Sequence, residues 1–349
     1  MEHEELSERE KIILKSIVQQ FILTAAPVGS RFIAKKYEIG LSPATIRNVM
    51  ADLEESGYIN HPHTSAGRIP TDKGYRYYVD ALMPKQSLID SEKKIIEEKL
   101  KPSISDPDTL IKAASQILSS ITKQIACVSY PALNNAILNK IQLIEITSNR
   151  LLVVISVSSG LIKTVTFEVD SQIEHSVIES VEQKLNEKLC GLTFKQIRNS
   201  LSERLKDVDI KEKPIVRLFL ESADKVFSDN IKDDKVVVTG ASSIIQQPEF
   251  ENPDKFQSII ELIENKDIII HILEQHKDET KDSVVVRIGK ENQNEKFYEY
   301  SFVTKEYNIG EIKGVLGIIG PRRMEYAKII SIVGYISETL SNFLAGQNR

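Results

Sequence analysis

Ser42-Pro43-Ala44-Thr45-Ile46-Arg47-Asn48 places a helix-capping hydroxyl, a proline fit for the first helical position and several small or hydrogen-bonding side chains side by side. Ile46, Val49, Met50 and Leu53 follow at i, i+3, i+4 and i+7, one apolar stripe of a helix. Ala44, Thr45, Arg47 and Asn48 are left near the start of that helix, away from the stripe. Side chains of this kind suit base edges in a DNA major groove. Base reading is assigned to Thr45, Arg47 and Asn48. Ser42, at the positive end of the helix, suits a phosphate.

The surrounding residues supply what must hold such a helix. Ser7-Glu8-Arg9-Glu10 fits a capping box, and the helix after it carries Ile13, Leu14, Ile17, Val18 and Phe21 on one side. Pro27-Val28-Gly29 ends the connection. Ser30 is expected to cap a short second helix with Ile33, Ala34 and Tyr37, and Gly40 makes the tight turn. Gly57 ends the third helix. Tyr58-Ile59 and Arg68-Ile69 are short strand candidates around His61–Gly67, the layout of a wing whose tip holds His61, His63, Thr64, Ser65 and Arg68. Thr71 caps one more helix with Lys73, Tyr75 and Arg76.

A plain three-helix bundle with a hairpin would show the same periodicity. The cluster of Arg31, Lys35, Lys36, Arg47, Arg68, Lys73 and Arg76 against few acids favours nucleic acid. Arg68 and Lys73 are expected on the DNA backbone or in the minor groove. The candidate DNA contacts are Ser30, Arg31, Ser42, Pro43, Ala44, Thr45, Arg47, Asn48, His63, Thr64, Ser65, Arg68, Lys73 and Arg76.

Composition narrows the remaining classes. The chain has 349 residues, 41% hydrophobic and 27% charged, with net charge −5. That length asks for two or three domains. The acidic balance argues against a generally basic, non-specific binder but leaves room for a specific one with a local patch. Cys127 and Cys190 form no C-x-x-C and read as reduced thiols. The acidic N-terminus is the reverse of a signal peptide, and no uncharged apolar run approaches the ~20 residues of a membrane span. A cytoplasmic protein without membrane contact is expected.

His61 and His63 lack a third ligand at metal-binding spacing. Gly310, Gly314, Gly317 and Gly320 match neither G-x-x-x-x-G-K-[ST] nor G-x-G-x-x-G, so turn and packing roles are assigned to them. There is no G-x-S-x-G and no H-E-x-x-H. No enzyme activity, cofactor or metal is expected.

Along the chain, residues 1–83 read as one compact unit, and 84–107, with its charged helix Asp90–Lys101, as a linker setting the distance between domains. Beyond it the pattern is mixed. Leu110–Ile125 is helical, Ile141–Thr147 and Leu151–Ser158 form a hairpin, Leu161–Val169 is a further strand and Ile173–Leu189 a helix. Residues 190–280 are helix-rich around a lone strand candidate, Val236–Thr239. Val284–Ile288, Phe297–Val303 and Val315–Ile319 then read as strands and Tyr326–Leu344 as a closing helix.

Pro27-Val28-Gly29-Ser30, Gly40-Leu41-Ser42-Pro43-Ala44-Thr45-Ile46-Arg47-Asn48, and the run from Pro62 through Gly67-Arg68-Ile69-Pro70-Thr71-Asp72-Lys73-Gly74-Tyr75 to Arg76 resemble the bacterial heat-inducible transcription repressor family HrcA. So do Gly314-Val315-Leu316-Gly317-Ile318-Ile319-Gly320-Pro321 and Arg323-Met324-Glu325-Tyr326. Asn60-His61 departs from the acidic residue and glutamine more usual there.

The resemblance implies an α+β multidomain protein: a winged helix-turn-helix, a GAF-like α/β domain and a dimerising domain inserted into the latter. The expected bounds are 1–83 for the first, 108–175 and 280–349 for the second, and 176–279 for the insertion. Ile215, Leu218, Phe219 and Phe227 are expected to supply its pairing surface. The resemblance further implies a homodimer that represses chaperone operons through an inverted repeat in double-stranded DNA, supported by the chaperonin and inactivated by heat stress. A ligand-sensing regulator using the GAF-like domain is the alternative.

Overall fold

The computed structural model describes residues 6–62, 67–104, 106–169, 173–207, 213–228, 236–274 and 283–346. The chain opens with α1 (Glu8–Thr24), α2 (Ser30–Lys36) and α3 (Pro43–Glu55). An antiparallel hairpin of β1 (Ile59–Asn60) and β2 (Ile69–Pro70) follows. Next comes α4 (Asp72–Tyr77), continued by a π-helical turn over Tyr78–Leu82. Ser7 and Glu10 close the capping box at the start of α1. Ile13, Leu14, Ile17 and Val18 of α1 are completely buried and pack with Ile46, Met50 and Leu53 of α3.

The start of α2 departs from expectation. Gly29, in extended conformation, is the cap, and Ser30 lies inside the helix, buried. Val28 exchanges two backbone hydrogen bonds with Arg68, both 2.9 Å. That bridge holds the chain extended up to Gly29, so the helix starts directly after it.

Next come α5 (Asp90–Leu100), α6 (Pro107–Thr122), β3 (Ile125–Ser129), β4 (Leu138–Thr147), β5 (Arg150–Val157) and β6 (Ile162–Glu168). Four helices follow: α7 (His175–Leu189), α8 (Phe194–Arg204), α9 (Lys213–Glu221) and α10 (Ala223–Val226). The chain continues as β7 (Val236–Thr239), α11 (Ala241–Ile244), α12 (Pro253–Glu264) and α13 (Lys266–Glu274). It closes with β8 (Val285–Ile288), β9 (Tyr300–Ile309), β10 (Ile312–Pro321) and α14 (Tyr326–Gly346).

Two larger sheets organise these elements. One is five-stranded and antiparallel, in the order β7-β3-β10-β9-β8. Alternation along β3 serves both its faces. Ala126 and Val128 join the core under α6 and α14, while Ile125 and Cys127 join Ile259, Leu262, Ile269 and Ile272 of α12 and α13. The other sheet, β4-β5-β6, is three-stranded. Leu151, Val153, Ile155 and Val157 of β5 and Val165 and Phe167 of β6 point to one face, which α7–α10 cover. Phe167 meets Phe219 edge-on at 5.4 Å.

This sheet membership divides the chain differently from the expected 108–175, 176–279 and 280–349. β4–β6 stand outside the five-stranded sheet, and β7 lies within it beside β3. The segment that leaves the sheet is therefore the one between β3 and β7. A β-branched run announces a strand but not its partner. The three-stranded sheet needs cover on its apolar face, and the helices that directly follow it provide that cover. For the same reason Ile215, Phe219 and Phe227 are completely buried within this unit, not held out for a partner.

The expected linker also differs. Ile96 and Leu100 of α5 are buried in the main core, and Glu97 accepts a hydrogen bond from Tyr335 of α14. Ser331 of α14 donates to the Gln86 carbonyl. A charged helix with only a narrow apolar stripe reads as a spacer, but here that stripe docks. The molecule mixes helix and sheet as the α+β expectation required. Among the described residues, no helix is long and apolar enough to cross a membrane.

Candidate nucleic-acid interface

The start of α3 is built as its sequence dictates. Ser42 Oγ accepts the Thr45 amide at 3.1 Å and lies 2.9 Å from Thr45 Oγ1, with Pro43 at the first helical position. Ile46, Met50 and Leu53 anchor the inner side. Pro43, Ala44, Arg47 and Asn48 are exposed on the outer side, and Thr45 is half-buried. Among the described residues, no hydrogen bond or ion pair engages the Arg47 or Asn48 side chain. Ala51, one further helical step along, is exposed on the same stripe. It escaped the motif reading, although helical spacing from Ala44 and Asn48 points to it.

Exposed Arg31 and Lys35 on α2 add positive charge nearby. Lys36 is already engaged. It donates to Gln20 Oε1 at 2.6 Å and sits 5.5 Å and 5.6 Å from the ring centres of Phe32 and Tyr37.

The hairpin is braced against the far end of α3. Arg68 Nη2 pairs with Glu54 Oε2 at 2.7 Å, and His61 Nδ1 meets the other oxygen of the same carboxyl. Burial works to raise the Glu54 pKa, but the His61 hydrogen bond and the Arg68 charge outweigh it and hold the carboxyl below its ordinary value. Arg68 is thus half-buried at the hairpin base. His63, Thr64 and Ser65, assigned to the tip, lie outside the described residues.

The cations of α4 sit in other company. Thr71 caps α4 by accepting the Gly74 amide at 3.2 Å. Lys73 Nζ donates to the Ser56 carbonyl at 2.9 Å and stands 4.2 Å from the centre of the Tyr58 ring. Arg76 donates to Glu291 Oε1 at 2.8 Å, to Asp80 Oδ1 at 3.1 Å and to the Val286 carbonyl at 2.5 Å. Its guanidinium is held against the C-terminal half of the chain. The candidate DNA contacts include Ser30 and Arg76. The structure buries the first and turns the second to a partner within the molecule.

Residues that are not among the candidate DNA contacts complete this region. Asp72 accepts from Arg322 Nη1 at 2.9 Å and from the Lys290 amide at 3.1 Å. Arg323 Nη1 reaches the Ile22 carbonyl at 2.6 Å. Asp72 and Arg323 stand in the runs that carry the family resemblance, and Arg322 directly follows the glycine-spaced strand.

A family model described as the HrcA protein C terminal domain matches residues 108–330. The heat-inducible transcription repressor HrcA of Chlorobium phaeobacteroides (strain BS1) is 40% identical over 349 residues, 98% of this chain and 99% of that protein. The heat-inducible transcription repressor HrcA of Prosthecochloris aestuarii (strain DSM 271 / SK 413) is 39% identical, covering 99% of each. A crystal structure of a hypothetical protein at 2.2 Å resolution shares the fold, with a TM-score of 0.61 at 22% identity over 98% of this chain and 99% of that one. By these matches the chain belongs to the HrcA family of heat-inducible transcription repressors.

Proposed function

We propose that this chain is a cytoplasmic repressor of heat-shock (chaperone) operons that binds an inverted repeat in double-stranded DNA as a homodimer. Its N-terminal unit acts as a winged helix-turn-helix, with α2 and α3 as the helix pair and the β1–β2 hairpin as the wing. The observation that carries the reading is the start of α3. Arg47 and Asn48 stand exposed and unengaged among the described residues, on a helix whose other side is locked into the core. Rigid support with free donors is what base readout needs. Arg31, Lys35 and Ser42 serve the phosphates.

The five-stranded sheet with its helices serves as the GAF-like domain, and the segment between β3 and β7 as the inserted dimerising domain. Its pairing surface is the outer face of the three-stranded sheet. Ile144 and Ile162 are 47% and 68% exposed there, beside half-buried Leu152 and Val154. Register brings Ile144 opposite Leu152. Apolar residues gathered on an uncovered sheet face mark an interaction surface. The same face gives the chaperonin something to hold when heat loosens the dimer.

The ligand-sensing alternative finds less support. Ile259, Leu262, Ile269 and Ile272 of α12 and α13 pack on the sheet face that Ile125 and Cys127 present.

Selection of bound DNA from a random pool by the full chain tests the reading. A two-fold inverted repeat should emerge, and sedimentation should show a dimer that Ile144→Glu with Leu152→Glu converts to monomer. Enrichment of no sequence over random DNA would overturn it.

A further inference from the structure

We infer that Arg322 and Arg323, in the turn between β10 and α14, act with Glu291 as positioning residues for operator reading. They clamp the N-terminal unit onto the five-stranded-sheet unit and so set the distance and angle at which two copies present α3. The inference rests on the operator reading proposed above.

The clamp has three anchors on two helices. At the end of α1, the Ile22 carbonyl accepts from Arg323, whose guanidinium also pairs with Glu249, at 3.0 Å for Nη2. In the first turn of α4, Asp72 takes Arg322 and the Lys290 amide. Gly289 makes room for that carboxylate. Its φ is +55°, and a Cβ there would stand 2.2 Å from Asp72 Oδ2. In the last turn of α4, Arg76 engages Glu291 and the Val286 carbonyl. Three anchors on two helices resist swivelling about any one of them.

Each anchor is backed by the opposite unit. Arg322 also reaches Glu299, at 3.2 Å and 3.3 Å, and Glu299 is held by Lys255 at 2.7 Å. Between the anchors, Tyr75 is 2% exposed and lies 6.1 Å from Tyr326, whose hydroxyl donates to the Arg322 carbonyl at 2.6 Å. The contact is charged at its edge and aromatic at its centre. It fixes orientation through directional bonds where a purely apolar contact would let the units slide.

Orientation matters because a two-fold dimer must place both reading helices on one face of the duplex, about a helical turn or a multiple of it apart. A fixed unit converts one spacing into avidity and penalises the others. A loose unit tolerates several spacings and gains less from each.

The test uses the full chain with Arg322→Gln and Glu291→Gln together, neither residue being among the proposed DNA contacts. Nitroxides at Glu55→Cys and Gln257→Cys, in a Cys190→Ser background with Cys127 buried, report the distance between the units. The parent should give one narrow distribution and the double variant a broad one, with Arg322→Lys in between. On DNA, affinity for a single half-site should stay within about twofold, while preference for the best spacing over one shifted by half a turn should fall by about tenfold. A narrow distribution and an unchanged spacing preference in the double variant would overturn the clamp. A parent that prefers no inverted repeat, even with distances that broaden in the variant, would overturn the operator reading and with it the positioning role.

Discussion

Helices α3 and α4 both carry polar or basic side chains of the kinds that contact DNA, and they use them in opposite ways. On α3, Arg47 and Asn48 face outward with no partner among the described residues. On α4, Lys73 and Arg76 are drawn onto the Ser56 carbonyl, the Tyr58 ring, Glu291 and Asp80. Their residue types are those of DNA contacts in both cases. The difference lies in what each helix end meets: α3 starts at the surface, whereas α4 is wedged between the hairpin and the C-terminal half. A basic patch counted along the sequence therefore mixes side chains free to meet phosphate with side chains already neutralised at home.

The sharpest way to break this contrast is Gly74→Ala. A Cβ at Gly74 would stand 2.1 Å from the Tyr58 carbonyl oxygen, a backbone atom that cannot give way cheaply. We expect a loss of about 3 kcal/mol or more of stability, the upper end of overpacking costs. DNA binding should fall only in step with unfolding, as thermal melts run alongside binding assays will reveal. A variant that melts like the parent would show that α4 is not wedged as described.

On α3 the expectation reverses. Arg47→Ala and Asn48→Ala should each cost ~1–3 kcal/mol on the operator and relax preference at particular positions. Melting should shift little, because neither side chain supports the fold. Both variants discriminating operator from scrambled DNA as the parent does would remove α3 as the reader.

Arg76→Ala separates the two roles directly. It leaves Glu291 without its main partner, which should lower stability by about 1–3 kcal/mol. If Arg76 is engaged at home, the salt dependence of DNA binding keeps its slope. A slope lowered by ~0.9 per protomer would instead mark a lost phosphate contact.

The smallest effect concerns the hairpin brace. Glu54 has its pKa lowered in the fold, so its contribution is present above the ordinary carboxylate value and is lost as pH falls through the folded one. Glu54→Gln should therefore melt below the parent from neutrality down to the ordinary carboxylate range and converge with it only below about pH 4. The gap will be modest, because solvent screens a partly exposed pair. A gap that stays constant over that range would mean the carboxylate is not what braces the hairpin.

Legibility in the sequence followed the range of the forces involved. Helix caps and stripes are local: Ser7 with Glu10, Ser42 with Pro43, and Ile46-Met50-Leu53 stand as the residues require, since each depends on neighbours within about two turns. The turn at Gly40, with φ +70°, belongs to the same class. β3 escaped the reading because Ile125-Ala126-Cys127-Val128 continues an apolar helical pattern, and period alone does not separate a short buried strand from a helix end.

What the sequence by itself determined was the α+β composition, the elements of the N-terminal unit and, through motif resemblance, the family. Tertiary structure alone decided which strands share a sheet, that Ile215, Phe219 and Phe227 close their own core, and that α5 docks. It alone decided that Arg76 answers Glu291 across more than two hundred residues. The reason is that periodicity and capping are set by residues a few positions apart, while strand partners, core closure and ion pairs depend on which distant segments arrive at the same place.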